Sequence, residues 1–180
     1  MYILRSNLIK SPKENYVSTR AVTLYALALG VIAIDQLTKV LAVKFLQGEP
    51  RIAIVGDFVG LTFLRNPGAA FGLGSGATWV FSVIAIAVFA VIVFISRKLA
   101  STWWAIGLGL LLGGLTGNLI DRFFRMPANG EVPQFMHGAV VDFIDLYFFV
   151  CNIADIAITG AAVLIALLTL KGTSIDGREE

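Results

Sequence analysis

From Thr78 to Ser96 and from Leu99 to Ile120 the chain carries no charged residue, and from Leu146 to Leu170 it carries only Asp155. A helix needs about 20 mostly apolar residues to cross the hydrocarbon core of a bilayer. Each of these runs meets that length. A further run, Ala21 to Ile34, is uncharged and continues as Asp35-Gln-Leu-Thr-Lys39-Val-Leu-Ala-Val. It also spans if Asp35 is tolerated near one membrane face. Composition agrees: 57% of the 180 residues are hydrophobic and 14% charged, against about 45–50% and about 25% in soluble globular chains. A chain this short has too little interior to hide so much apolar surface, and disorder has the opposite signature. The expected fold class is an all-α membrane protein with four transmembrane helices, a small extracytoplasmic β-hairpin or sheet element and a short outer loop or helix.

The first run has a basic flank and a short apolar core, as a secretory signal has. However, Asp35, Gln36, Thr38 and Lys39 follow at helical spacing and read as the end of a retained helix. Cytoplasmic segments are enriched in Lys and Arg. Arg5, Lys10, Lys13 and Arg20 precede span one, Arg97 and Lys98 link spans two and three, and Lys171 and Arg178 follow span four. The longer segments between carry Arg51, Arg65, Arg122 and Arg125. The expected organisation is a cytoplasmic segment 1–20, a four-span domain 21–170 with outer segments about 46–77 and 122–145, and a cytoplasmic tail 171–180. Both ends read as polar and mobile. Trp79, Trp103 and Trp104 read as interfacial anchors.

In the first outer segment, β-branched and aromatic residues surround Gly56-Asp57, which reads as a hairpin lying on the membrane surface. Asn66-Pro-Gly68 is a turn signal. The second outer segment holds Pro127, Gly130, Pro133 and Gly138 and reads as largely loop.

Ionisable residues inside apolar stretches face a cavity or a partner and mark function by default. Asp35, Asp121, Asp142, Asp145 and Asp155 gather toward one membrane face. Asp35 and Lys39 stand at i, i+4 and can pair along one helical face. Gly109, Gly113 and Gly117 form a stripe that allows close helix–helix approach, followed by Asn118, Asp121 and Arg122. Asn152, Asp155 and Thr159 share a face of span four, where Asn118 or Arg122 could satisfy Asp155. Spacing alone does not choose between Asp142 and Asp145. His137 reads as a surface residue and Cys151 as a small packed one.

A net charge of +2 gives no reason to expect a nucleic-acid partner. One cysteine and one histidine argue against a metal centre built on them, and no metal or cofactor is expected. No nucleophile elbow, HExxH pair or phosphate-cradling loop is present. Aspartate remains. Two close carboxyls share a proton and split their affinities for it. The ionised one can take a proton from water while the other donates to the carbonyl under attack. The alternatives are a small proton-coupled carrier using the same carboxylates and a helix-pairing assembly protein.

Five blocks carry a resemblance: Asp35-Gln-Leu-Thr-Lys39, Asn66-Pro-Gly-Ala-Ala-Phe-Gly72, Gly114-Leu-Thr-Gly-Asn-Leu-Ile-Asp-Arg122, Val140-Val-Asp-Phe143 and Asn152-Ile-Ala-Asp155. In this order and in a four-span frame, the chain resembles the lipoprotein signal peptidase family, signal peptidase II. The resemblance implies a bacterial inner-membrane aspartic endopeptidase with its site toward the outer face. Such an enzyme removes the signal peptide from diacylglyceryl-modified prolipoproteins, cutting before the lipidated cysteine. It implies Asp142 and Asp155 as the catalytic pair. Asn66, Gly68, Asn118, Asp121, Arg122 and Asn152 would support the site or contact the substrate and globomycin-type inhibitors, and Asp35 and Lys39 would support its architecture. The hairpin would be a cradle on the membrane surface, and the segment between Arg122 and Asp142 a lid-like helix. Membrane lipid is an expected partner, and a monomer the expected state.

Overall fold

In the first helix the buried positions are Ala21, Leu24, Ala28, Val31, Asp35, Lys39, Ala42 and Leu46. They recur every three or four residues, the period that lines up one face of a helix. The structure, a computed structural model, describes residues 18–68, 78–128 and 135–176. Helix α1 spans Thr19–Leu46, α2 Thr78–Ser96, α3 Thr102–Phe124 and α4 Ile153–Leu170. All four are long and apolar enough to cross a membrane. Strands β1 (Ile52–Val55), β2 (Val59–Asn66), β3 (Val140–Asp145) and β4 (Val150–Cys151) form one antiparallel sheet in that order.

Helix α3 is the hub, packing on α1, α4 and α2. Its glycines divide between two neighbours. A Cβ on Gly109 would stand 2.8 Å from the Leu24 carbonyl oxygen, and one on Gly113 2.7 Å from Val31 Cβ, both on α1. A Cβ on Gly114 would stand 2.5 Å from the Ala154 carbonyl oxygen on α4. The expected stripe therefore approaches α1 through Gly109 and Gly113, while the adjacent Gly114 approaches α4. Away from the sheet, Leu24, Ala28, Leu108 and Leu112 are buried with Trp104 and Ile92 in an apolar core.

Several boundaries differ from the sequence reading. Span four starts at Ile153, because residues 146–152 hold a turn and β4. Val140–Asp145, within the outer segment read as largely loop, is a strand. Proline and glycine around it suggested irregular chain, but cross-strand pairing with β2 supplies its backbone partners. The sheet also has a core to pack on: Leu61, Phe63, Val141 and Phe143 lie against Ala42, Val43 and Leu46 of α1. The tail is docked rather than loose through residue 176. Ala100 N–H donates to the Ile175 carbonyl at 3.0 Å, Trp104 Nε1–H donates to the Thr173 carbonyl at 2.8 Å, and Ile175 packs against the core. Trp104 is accordingly buried, whereas Trp79 and Trp103 are exposed as anchors should be. The polar N-terminal segment through residue 17, residues 69–72 of the second block and residues 129–134 of the expected lid helix lie outside the described residues. The flanks of that lid segment, 125–128 and 135–139, are not helical.

Candidate active site

The site is built outward from one buried ammonium. Lys39, fully buried on α1, meets Asp35 Oδ2 at 2.9 Å, Asp121 Oδ2 at 3.0 Å and Asn118 Oδ1 at 2.9 Å. An ammonium has three N–H donors, and each has an acceptor here. The expected i, i+4 pair is present, and α3 adds its second carboxylate. Burying a charge is costly unless it is paired and hydrogen-bonded. That requirement clamps α1 to α3 at this level.

Each carboxylate around Lys39 also holds a second element. Asp35 Oδ1 accepts from Ala154 N–H at 3.0 Å, satisfying a first-turn donor of α4. Asp121 Oδ2 accepts from Val141 N–H at 3.0 Å and so anchors β3. The neighbouring residues, Asp155 and Asp142, inherit those positions. Gln36 Nε2 donates to Asp35 Oδ2, the Gly117 carbonyl and Asp121 Oδ1 at 3.0, 3.0 and 3.3 Å, and Arg125 Nε lies 2.6 Å from Asp121 Oδ1. Sequence reasoning missed both. The i, i+4 spacing of Asp121 and Arg125 was an available signal, while Gln36 had none beyond its place in the first block.

The amide orientations follow by elimination. Asn118 Oδ1 accepts from Lys39 and, at 3.1 Å, from Asn152 Nδ2. Its Nδ2 is left to donate to Asp155 Oδ1 at 2.8 Å. Asn152 Oδ1 caps α4 by accepting from Asp155 N–H at 3.0 Å, while Asp155 Oδ2 accepts from Asn152 N–H at 3.2 Å, a complete capping box. Asn152 Nδ2 then reaches Asp142 Oδ1 at 2.6 Å, and Asn66 Nδ2 reaches Asp142 Oδ2 at 2.9 Å. Two amides thus connect the two carboxyls, and every carboxyl oxygen of both accepts one N–H.

Asp142 and Asp155 border the same cavity, of about 490 Å³, with Asn66, Gly68, Asn118 and Arg122. Phe81, Phe149, Ile158 and Thr159 supply other parts of its wall. Burial pushes the Asp142 carboxyl up to about 6; the nearby Asp155 charge adds to this, and the Asn66 and Asn152 amides and Lys39 oppose it. Arg122 Nη2 donates to the Gly68 carbonyl at 2.8 Å, and its guanidinium stands 5.6 Å from the Phe81 ring centroid. Among the described residues Arg122 Nη1 is buried without a partner, a state that asks for an acceptor.

Asp145 is elsewhere. It pairs with Arg51 and accepts from Tyr147 N–H at 3.0 Å, and the Arg51 contact holds its carboxyl below the ordinary range. Its partner clamps the sheet, since Arg51 also reaches the Asp57 carbonyl at 2.9 Å. Cys151 lines the cavity, but burial and the Asp155 and Asp142 charges push its thiol up to about 11, so it stays protonated at neutral pH. His137 is half-buried, with Nδ1 2.8 Å from the Phe135 carbonyl oxygen. Among the described residues no three His, Cys, Asp or Glu side chains group as metal ligands would.

The family model for signal peptidase (SPase) II matches residues 27–171. The chain is 43% identical over 168 residues to a lipoprotein signal peptidase of Rhodococcus jostii (strain RHA1), covering 93% of this chain and 82% of the relative. It is 44% identical over 154 residues to that of Mycobacterium avium (strain 104), covering 85% and 81%. A solved bacterial membrane enzyme, determined by the in meso method at 2.3 Å, superposes with a TM-score of 0.70 at 31% identity, covering 88% of this chain and 93% of that one. A second such structure, at 1.9 Å, gives 0.69 at 30% identity, covering 83% and 94%.

Proposed function

The chain belongs to the signal peptidase II family, and from that premise we propose that it cleaves signal peptides from diacylglyceryl-modified bacterial prolipoproteins, just before the lipidated cysteine, with Asp142 and Asp155 as the catalytic pair. The observation that carries the assignment is the shared cavity, in which the two carboxyls are joined through Asn152 and Asn118. One carboxyl is ionised and takes a proton from a water placed between them. The oxygen of that water bonds to the scissile carbonyl carbon, and the protonated carboxyl donates to the carbonyl oxygen. Collapse of the tetrahedral intermediate breaks the C–N bond, and the leaving amine takes up a proton from the pair. Arg122 Nη1, without a partner among the described residues, is suited to donate to a substrate carbonyl oxygen. Asn66 and Asn152 hold Asp142, and Asn118 holds Asp155. Lys39, with Asp35 and Asp121, fixes the elements that carry them.

The protein is multi-pass in the membrane. We place both termini and the Arg97–Lys98 link in the cytoplasm and the site at the outer face of the bacterial inner membrane, since the sheet-side segments carry the sparser cations.

The test is to replace Asp142 and Asp155 singly by Asn and follow cleavage of a diacylglyceryl-modified precursor beside thermal unfolding of the purified protein. Both variants should be folded and inactive, and the unmodified precursor should be a poor substrate for the wild type. Full activity in either variant would remove the pair, and equal cleavage of both precursors would remove the lipid requirement.

A further inference from the structure

A second hollow lies on the opposite face of the sheet. Successive residues of a strand point to opposite faces. Asp142 borders the polar cavity, while its neighbour Phe143 borders a groove of about 270 Å³ between the sheet and α1. Leu41, Ala42, Phe45 and Leu46 of α1 and Leu61 of β2 complete the wall. Thr38 also lines it but keeps its hydroxyl on its own helix, donating to the Ile34 and Asp35 carbonyls at 2.8 and 2.9 Å. The groove therefore shows a guest no polar surface, and an apolar hollow stays dry and takes apolar guests.

It opens on the flank of α1 where Leu37, Leu41 and Phe45 are 61%, 44% and 60% exposed. In a membrane-spanning helix that flank meets acyl chains. Charge selects among lipids. Lys44 stands in the last turn of α1, at the sheet end of that span, with its ammonium 5.1 Å from the ring centroid of Phe45, a wall of the groove. Arg65 lies 5.5 Å from the ring centroid of Phe63, which packs against the same apolar cluster as Phe143. Cations beside an apolar groove complement a phosphodiester whose acyl chain enters it.

We propose that this groove binds one acyl chain of a resident anionic phospholipid from the leaflet bordering the sheet, with the phosphate beside Lys44. The substrate's own diacylglyceryl chains are a different source of the same chemistry. They are attached next to the scissile bond, which on the proposed reading lies in the polar cavity with the sheet between it and the groove. The resident chain backs Phe143 and so supports, from behind, the strand that carries Asp142.

The experiment uses the full chain, delipidated in detergent, with native mass spectrometry during titration of phosphatidylglycerol or phosphatidylcholine. Expected is one phosphatidylglycerol retained per chain, about fivefold more tightly than phosphatidylcholine, the worth of one lysine beside an anionic surface. Lys44→Gln, an exposed change, should erase that preference. Leu41→Trp, which fills the mouth, should abolish retention, while Val91→Trp on the lipid-facing side of α2 should leave it intact. Equal retention of both lipids by the wild type, or unchanged retention in Leu41→Trp, would overturn the proposal in favour of ordinary surrounding lipid. Displacement of the phospholipid by a diacylglyceryl-modified peptide would overturn it too, making the substrate's chains the occupant. Precursor cleavage is measured on the same samples, so failure of the groove is distinct from failure of the peptidase reading.

Discussion

Helices α1 and α3 meet twice, and the two meetings are built from opposite materials. Toward Trp104 and the docked tail, Leu24 and Ala28 lie against Leu108, Leu112 and the bare backbone at Gly109 and Gly113. Toward the sheet, the same helices meet through Lys39, Asp35, Asp121, Gln36 and Asn118. Shape alone secures the first. The second is secured by a charge that must keep all its partners. Apolar contacts degrade gradually when altered, whereas a buried ion that loses a partner is left uncompensated.

The contrast is sharpest in function. Asp142→Asn and Asp155→Asn should each lower the rate of precursor cleavage by about 10²–10⁴-fold or more, the range for loss of a positioned acid or base. A steady-state assay reads this directly. An equally large loss from a volume-conserving change among the Leu residues of the apolar end would break the contrast.

Stability gives the next test, with methionine as the incoming residue in both regions. Lys39→Met strands Asp35 and Asp121 and should cost about 3–5 kcal/mol. Leu108→Met should cost less than about 1.5 kcal/mol. Thermal unfolding in one detergent compares them. Within the apolar end, Gly113→Ala drives a methyl against Val31 and the Ala28 carbonyl and should cost about 1–3 kcal/mol. Gly30→Ala, with open space around it, should be neutral or stabilising by up to about 1 kcal/mol.

Only the polar end should answer to pH. Asp142 titrates at about 6 in the folded chain, against about 3.9 for an ordinary aspartate. The folded chain therefore binds this proton more tightly than the unfolded one. The stabilising contribution is complete below about pH 4 and is lost as pH rises through about 6. The unfolding midpoint of the wild type, relative to Asp142→Asn, should fall across that window. A flat difference would show that burial does not govern this carboxyl. The smallest expected effect is that of Cys151→Ala: a protonated thiol on the cavity wall should be replaceable with cleavage changed less than about twofold.

The spans were legible because a bilayer leaves a long, uncharged imprint on a sequence; Thr78–Ser96 coincides with α2 to the residue. The Asp35–Lys39 pair was legible from i, i+4 spacing, and the close approach at Gly109 and Gly113 from their stripe. β3 was not, because a strand paired on its backbone needs no distinctive side-chain pattern, and the surrounding prolines and glycines pointed to loop. The tail was misread because its docking rests on one apolar side chain, Ile175, and on main-chain carbonyls at Thr173 and Ile175, which residue identity does not advertise.

Nor did spacing separate Asp142 from Asp145. The two are three residues apart on one strand, yet one is buried between two asparagine amides and the other pairs with Arg51. What the amino-acid order determined alone was the solvent, the number of spans and the stock of intramembrane carboxyls, since transfer energies and helical periods are local properties. Which carboxyls meet was decided by the tertiary structure. Hydrogen bonds between α1, α3, β3 and α4 join residues far apart in the chain, and the need to satisfy every buried donor of Lys39 selects one arrangement among them.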